Sequence, residues 1–238
     1  MPTVPIWELF FMYKSTVLLS IIVCILSLKM MSGESSMATN GNSYVSQNQN
    51  TLAERSFSLE NRYEVKRVND VFKDNILLTL SYLKGDVKSK ADIDWGKVEE
   101  PKLFEFSLKP GDSFTFHDQI LPDYKNNVVK MTDAHFNYQD GFKSDGYLIG
   151  DGVCHLASLM YWVAKEAGLE ANAPTNHNFA KINEVPKEYG VSIYSLPGAS
   201  GVGSKQNLYI KNNLDKTIAF VFNYDGTNLS IKVDKENI

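Results

Sequence analysis

The feature that most constrains the fold of this chain is a helix that begins directly after two closely spaced glycines. Residues 150–154 read Gly-Asp-Gly-Val-Cys, and the predicted helix runs from about Gly152 to Ala167. Asp151 is the expected N-cap, and Gly168 is expected to stop the helix. One face carries the apolar residues Leu156, Leu159, Met160, Val163 and Ala167. This spacing predicts that the helix is buried along that face.

Extended segments flank the helix on both sides. Residues 103–108 alternate as in a strand, and residues 113–116 follow a Pro-Gly-Asp turn. Three more strands are predicted at 207–211, 217–222 and 229–233, the last two joined by a turn around Asp225-Gly226. We therefore predict an α+β fold, in which small β-sheets surround a central buried helix that carries a cysteine at its N-terminus.

The N-terminal 31 residues contain a targeting signal. An uncharged, strongly apolar run extends from Ser15 to Leu28 between Lys14 and Lys29. Its length is better suited to the core of a signal peptide than to a full bilayer span of about 20 residues. Residues 1–31 are thus expected to be a signal peptide or a membrane anchor, cleavage and anchoring both remaining open. The expected location is extracytoplasmic, either membrane-anchored or secreted.

Composition divides the rest of the chain into three parts. Residues 32–51 are rich in Ser, Asn, Gln and Gly, which predicts a flexible polar tether. Residues 52–99 are predicted to be a partly helical N-terminal extension. Gly85 could end the helical element within it. Within it, residues 76–80 also fit a buried strand, and periodicity does not separate the two readings. Residues 100–238 form the predicted main domain.

Charge and cysteine count exclude several classes of function. The net charge of −4 includes no basic surplus, which argues against nucleic-acid binding. Only two cysteines occur, Cys24 in the apolar run and Cys154 in the globular part, so no disulfide framework is expected. Cys154, His155 and His177 lack the ligand spacing of a closed zinc site. We expect neither a metal nor a cofactor.

Cys154 is the residue with the clearest potential chemistry. With Asp151 as N-cap it would be the third helical residue, where free backbone N–H groups and the helix dipole favour a thiolate. Gly150 and Gly152 would let a substrate backbone approach, and the same N–H groups could hold an oxyanion. His177 is the best candidate base, because His155 points about 100° away from its helical neighbour. The alternative is an inert, packed cysteine.

The segment around Cys154 resembles the VanW family. Residues 150–161 resemble that family's Gly-x-Gly-[Ile/Val]-Cys-Gln-[Val/Leu]-Ser motif and the tyrosine that comes after it. The family's Ala-Gly-Leu-Glu segment is present at residues 167–170. The similarity continues without a gap to His177, which falls on the second histidine of a His-x-His segment. Residues 110–116 match the family's entry strand, and 208–213 its closing strand. The resemblance covers about residues 100 to 222.

This resemblance implies a role in the bacterial cell envelope, beside peptidoglycan. Some members of the family are L,D-transpeptidases, which cross-link the wall through a cysteine acyl-enzyme. By resemblance, Cys154 would be the nucleophile, His177 its base, and a peptidoglycan stem peptide the substrate. Gly150, Asp151, Gly152 and His155 would then contact the substrate or the oxyanion. Transfer of the acyl group to a neighbouring stem amine would make a cross-link, and transfer to water would make the protein a carboxypeptidase.

The sequence departs from the family pattern at four places. His155 replaces the glutamine after the cysteine, Ala157 replaces a serine, and Thr175 replaces the first histidine of His-x-His. The family's Asp-Ala-Thr-Val segment corresponds to residues 190–193, which read Gly-Val-Ser-Ile and lack the aspartate. If that aspartate orients the base, another group must replace it here.

Asn178 and Asn207 are the candidates for that orienting role. If the missing histidine were the essential base, the chain would instead be a non-catalytic envelope module that binds peptidoglycan or a partner. A third reading, a thiol redox or metal protein, would need a second cysteine or clustered ligands, and the globular part offers neither.

Overall fold

Two four-stranded β-sheets and three α-helices make up the part of the chain that the structure, a computed structural model, describes: residues 50–147, 150–195 and 202–236. The helices are α1 (Lys66–Lys84), α2 (Trp95–Glu99) and α3 (Val153–Glu166). The strands are β1 (Thr51–Ser58), β2 (Lys102–Leu108), β3 (Ser113–Thr115), β4 (Val128–Lys130), β5 (Glu170–Asn172), β6 (Tyr209–Lys211), β7 (Ile218–Tyr224) and β8 (Asn228–Lys235). The fold is α+β, as predicted.

The predicted signal peptide or anchor over residues 1–31 and residues 32–49 of the predicted tether lie outside the described residues. Among the residues that are described, no helix combines the length and the apolar character needed to cross a bilayer.

The first sheet is antiparallel throughout and has the strand order β1-β8-β7-β2. The β7–β8 turn is tight because the Asp225 carboxylate accepts hydrogen bonds from the backbone N–H groups of Thr227 and Asn228, at 2.8 and 2.7 Å. Phe106 and Phe220 stack across β2 and β7, with ring centroids 5.3 Å apart. The strands predicted at 103–108, 217–222 and 229–233 are therefore present.

The second sheet has the order β4-β3-β6-β5, with β3 parallel to β4 and the other pairs antiparallel. The fully buried Asn207, just before β6, ties this sheet together. Its side chain donates to Thr115 Oγ1 at 2.9 Å and accepts the Phe116 N–H at 3.1 Å and the Leu208 N–H at 2.8 Å. The helix α3 ends one turn before β5, so this sheet and the helix are linked by a short connection.

Helix α1 shows that the alternative strand over residues 76–80 was wrong. Residues 75–83 are buried throughout, which is why no apolar stripe distinguished helix from strand in the sequence. Gly85 ends the helix in the left-handed conformation, with φ of 92°. Its N–H donates to Tyr82 O at 2.9 Å, and the Asp86 N–H donates to Ser81 O at 3.0 Å, the pattern of a Schellman motif.

Helix α3 begins one residue later than its sequence indicated. The N-cap is Gly152, with φ of 95° and no side-chain cap, so the prediction that Asp151 caps the helix was wrong. The left-handed backbone of Gly152 cannot be the first residue of a right-handed helix, and a Cβ at this position would lie 2.5 Å from the carbonyl oxygen of Phe72 in α1. Cys154 is consequently the second helical residue and not the third. At the other end, Gly168 follows the helix with φ of 78°, as the sequence predicted.

The segment before residue 100 packs with the rest of the described chain. Strand β1 pairs with β8 along the edge of the first sheet, and α1 lies against α3. All described residues belong to one compact unit. The start of α3 is therefore in contact with elements from both parts of the chain.

Replacing Gly152 by alanine should destabilise the fold more than the same change at Gly168. Both glycines have positive φ, which costs alanine about 1–2 kcal/mol. At Gly168 nothing lies within 4 Å of the new Cβ, whereas at Gly152 the Phe72 backbone blocks it. Overpacking should add about 1–3 kcal/mol at Gly152 alone. Urea unfolding of the two variants measures the difference, and equal losses would contradict this packing.

Candidate functional site at the start of helix α3

The turn before Cys154 is closed by its own backbone and filled on both sides by protein. The Val153 N–H donates to Gly150 O at 3.1 Å. A Cβ on Gly150 would lie 2.8 Å from the carbonyl oxygen of Phe136, just as Gly152 is pressed against Phe72. Packing against Phe136 and Phe72 therefore requires the absence of side chains at both glycines, and their contact with a substrate stays a prediction.

The thiol of Cys154 is held by the backbone of Ile193. Its Sγ accepts the Ile193 N–H at 3.4 Å and donates to the Ile193 carbonyl oxygen at 3.8 Å. Cys154 keeps part of its surface exposed, but desolvation of Sγ by its neighbours raises the pKa of the thiol to about 11, and the nearby Asp151 carboxylate raises it further. The Ile193 N–H works in the opposite direction but does not compensate. Removal of water from the thiol therefore acts against the thiolate that the helix start was predicted to favour.

The backbone N–H of Cys154 is placed differently from those of its neighbours. The Val153 N–H is used in the turn, and the His155 and Leu156 N–H groups donate to Gly152 O at 3.0 and 3.2 Å. Among the turn, loop and cap hydrogen bonds of the described residues, none uses the Cys154 N–H, which lies close enough to its own Sγ to lower the pKa of the thiol. A backbone donor beside a nucleophile is the arrangement an oxyanion hole requires.

Residues 190–193 run along α3 and bring His177 to the helix start. Ser158 Oγ donates to Cys154 O at 2.6 Å and accepts the Val191 N–H at 2.9 Å. The next residue, Ser192, donates its N–H to Thr175 O at 3.0 Å. Two loop segments are thus fastened to each other and to the helix. They place the His177 ring 6.2 Å from that of His155, edge to face.

The His177 imidazole is nearly buried and has a defined tautomer. Only 7% of the residue is exposed, and its Nδ1 lies 3.1 Å from the Ala180 carbonyl oxygen. Because a carbonyl oxygen only accepts, Nδ1 carries the proton and Nε2 is the basic nitrogen. Burial lowers the pKa of His177, although the Ala180 carbonyl opposes that shift, so the ring is neutral at pH 7. Among the described residues, no hydrogen bond joins His177 to Cys154.

His155, the neighbour of Cys154, is a buried and neutral histidine. It is 5% exposed, its ring meets that of Phe72 edge to face at 5.1 Å, and its Nδ1 has no hydrogen-bond partner. Burial lowers the pKa of His155 to about 3, helped by the positive charge of Arg62 and by His177. It therefore carries no charge in the physiological range and is unsuited to accept a proton from the thiol.

The two asparagines that were predicted to orient the base lie in different surroundings. Asn207 makes its hydrogen bonds within the second sheet and to the His117 region, and none to His177. Asn178 is exposed beside His177. The Ala180 carbonyl oxygen, which the sequence did not single out, is the group that orients the imidazole.

Position 190, where this chain lacks the aspartate of the family pattern, adjoins His177. A Cβ added to Gly190 would lie 3.2 Å from the His177 Cβ. The backbone there has φ of −63°, which any residue adopts. An aspartate at this position would therefore have its Cβ in contact with the His177 side chain.

A cavity of about 530 Å³ opens beside His177. Its apolar wall comes from Phe179, Ile182, Val185 and Pro186, and Lys181 and Lys187 add basic groups. In the described ranges neither lysine forms an ion pair. These residues were missed in the sequence, where only their nearness to His177 could have drawn attention to them.

One wall of this cavity is secured by a buried arginine. The Arg62 guanidinium donates to Glu184 Oε2 at 2.5 Å and to the Asn183 carbonyl oxygen at 3.0 Å, and it lies over the Phe57 ring at 4.0 Å. Burial lowers the pKa of Arg62 to about 10 against the opposing effect of Glu184, which leaves it charged at pH 7. No group of three His, Cys, Asp or Glu residues that could hold a metal ion occurs among the described residues.

The raised pKa of Cys154 predicts slow alkylation at neutral pH. The rate of reaction with iodoacetamide should rise with pH as the thiolate forms, with a midpoint near 11, above the ordinary value of 9.0. Mass spectrometry of the peptide that contains Cys154 measures this rate separately from that of Cys24. A midpoint below 8 would mean that the thiol is activated and would contradict the desolvated state.

Comparison with known protein families shows which family this chain belongs to. A family described as VanW like protein matches residues 97–233, which is more than half of the chain. A comparison with curated proteins gave no match, and a comparison with solved structures gave none either. The matched region includes the Cys154 turn, helix α3, His177 and the cavity beside it. The chain belongs to the VanW family.

Proposed function

We propose that this protein is an exported cell-envelope member of the VanW family that carries out cysteine-dependent acyl transfer on peptidoglycan stem peptides. The reaction would be of the L,D-transpeptidase or carboxypeptidase type. The observation that supports it best is the His177 imidazole, which is neutral, oriented by the Ala180 carbonyl oxygen and left with a basic Nε2 beside a cavity. A base oriented by a third group is what a thiol nucleophile requires.

The first half of the reaction forms a thioester. Cys154 Sγ attacks the carbonyl carbon before the terminal D-residue of the stem peptide, and the thiol proton passes to His177 Nε2. The Cys154 N–H stabilises the oxyanion of the tetrahedral intermediate. The carbon–nitrogen bond then breaks, and the leaving amine takes the proton from His177. The enzyme now holds the stem peptide as an acyl group on sulfur.

The second half releases Cys154. An amine of a neighbouring stem peptide attacks the thioester carbonyl carbon while His177 takes the proton from that amine, and the thiolate leaves and is reprotonated by His177. Attack by water in place of the amine gives the shortened peptide as a free acid. The acceptor alone decides between cross-linking and carboxypeptidase activity.

The resting state of the site places a requirement on this mechanism. A thiol with a pKa of about 11 is almost entirely protonated at pH 7, so the thiolate must form within the substrate complex. Substrate binding must also replace the hydrogen bonds between Sγ and Ile193. This differs from enzymes that keep a preformed thiolate–imidazolium pair.

The cavity beside His177 suits the terminal part of a stem peptide. Its apolar wall can bury a small aliphatic side chain, and Lys181 and Lys187 can attract the terminal carboxylate. The part of the proposal that concerns export depends on the apolar run from Ser15 to Leu28.

A second candidate function is a non-catalytic module that binds peptidoglycan or a partner. The observation that favours it is the separate engagement of the two key side chains. Cys154 Sγ bonds to Ile193 and His177 Nδ1 bonds to Ala180, and no hydrogen bond joins the two side chains in the described structure. In such a module the cavity would still bind a peptide, but Cys154 would form no thioester.

Incubation of the full-length protein with disaccharide-tetrapeptide should distinguish the two candidates. Acyl transfer predicts cross-linked dimers or loss of the terminal residue, with a thioester on Cys154 detected by mass spectrometry. Cys154→Ala should abolish both, and His177→Gln should lower the rate by about 10²–10⁴-fold. His135→Gln is the matched control, because His135 bonds to Asp118 and Asp140 instead. Peptide binding without product or thioester would favour the module.

Gly190→Asp should restore a carboxylate beside the base. A negative charge next to His177 stabilises the imidazolium and should raise the pKa of His177 above that of the wild type. Gly190→Asn is the matched control, since it fills the same space without a charge. Titration of the His177 ring by NMR measures both variants. Identical titration curves for the two would show that position 190 does not act on His177 electrostatically.

A further inference from the structure

The turn that leads into Cys154 is fixed by a residue outside the matched family region. Helix α1 ends at Lys84, before the match begins at residue 97. Asn75, in the middle of this helix, is fully buried although its side chain is polar. A buried polar group must find partners, and those of Asn75 lie in the chain around the cysteine turn.

Asn75 makes three hydrogen bonds to backbone on the other side of the site. Its Nδ2 donates to Asp151 O at 2.9 Å and to Lys143 O at 3.1 Å, and its Oδ1 accepts the Lys143 N–H at 2.9 Å. The Lys143 carbonyl oxygen also accepts the Gly150 N–H at 3.3 Å. Asn75 thus connects the two backbone segments that meet at the turn, one at Lys143 and one at Asp151. Asp151, whose carbonyl oxygen accepts from the Asn75 amide, lies three residues before Cys154.

The preceding turn of α1 reaches the same place. The Phe72 carbonyl oxygen blocks any Cβ at Gly152, and the Phe72 ring contacts His155. Residues 72 and 75 are neighbours on one face of the helix. This face of α1 therefore contacts the residues that precede and follow Cys154.

We propose that Asn75 is a positioning residue for Cys154, and that residues 51–96 belong to the functional unit together with the matched family region. Asn75 acts through Asp151, whose carboxylate raises the pKa of the thiol and whose carbonyl anchors the turn. Without the Asn75 amide the turn loosens, the partly exposed Cys154 side chain becomes more open to water, and the thiol becomes easier to ionise. The proposal concerns the environment of the thiol and holds whether or not the protein catalyses acyl transfer.

The test is the alkylation rate of Cys154 in Asn75→Ala, measured with iodoacetamide on the full-length protein over a range of pH. We expect the rate at pH 8 to rise about tenfold, because a lower thiol pKa gives more thiolate of somewhat lower nucleophilicity. The midpoint of the pH profile should fall below that of the wild type. Alkylation needs no turnover, so an inactive but folded protein still reports on the proposal.

The matched control is Asn212→Ala. Asn212 is also fully buried and donates to two backbone carbonyls, those of Leu108 at 2.8 Å and Lys216 at 2.9 Å, but in the loop between β6 and β7. We expect a similar drop in the urea midpoint for the two alanine variants and an alkylation rate within twofold of the wild type for Asn212→Ala. Asn75→Ser keeps one polar group and should give an intermediate rate, and it replaces Asn75→Ala if that variant does not fold. A folded Asn75 variant with the wild-type profile, or an equal change in both asparagine positions, would overturn the proposal.

Discussion

The close contact between Gly152 and the Phe72 carbonyl oxygen is the constraint on which the rest of the site depends. A Cβ cannot fit there, so the chain passes through a left-handed glycine and enters helix α3 directly. That geometry makes Cys154 the second helical residue, with its N–H beside its own Sγ. It also presses α1 against the helix start, which brings Asn75 to the turn. This contact therefore joins α1 to the backbone that leads into Cys154.

The chemistry of the site is governed by desolvation more than by the helix. A helix N-terminus stabilises a negative charge by about 0.3–1 kcal/mol at exposed sites. The shift in the pKa of Cys154 from 9.0 to about 11 corresponds to about 3 kcal/mol in the opposite direction. Burial acts in the same sense on His155 and His177, whose pKa values are both lowered. The site therefore rests as a neutral thiol beside neutral imidazoles, and the energy needed to create charge must come from the bound substrate.

Local patterns predicted much of the fold. The spacing of apolar residues and the type of turn residues within one short segment of sequence were enough to predict helix α3, strands β2, β7 and β8 and the Asp225 turn. The N-cap could not be predicted in this way, because Phe72 lies 80 residues before Gly152 and excludes a side chain only in the folded state. The pairing of β1 with β8 has the same origin, since it joins the two ends of the described chain.

The candidate site was found only in part for the same reason. Cys154 and His177 could be singled out by residue type and by resemblance, and loop segments fastened through Ser158 and Ser192 place them at one end of α3. The group that orients His177 is a backbone carbonyl, which any residue possesses, so nothing in the sequence distinguishes Ala180. The lysines and apolar residues of the cavity likewise acquire a shared role only when residues 177–190 fold around it.

The central claim is that His177 rests as a neutral imidazole with its proton on Nδ1 and a bare, basic Nε2. The ¹⁵N chemical shifts of its ring nitrogens, assigned with the His177→Gln variant, test this directly at pH 7. The account predicts a protonated Nδ1 that is hydrogen-bonded to Ala180 and an unprotonated Nε2. A proton on Nε2 alone, or on both nitrogens, would contradict it, because Nε2 would then have no lone pair to take the proton from Cys154.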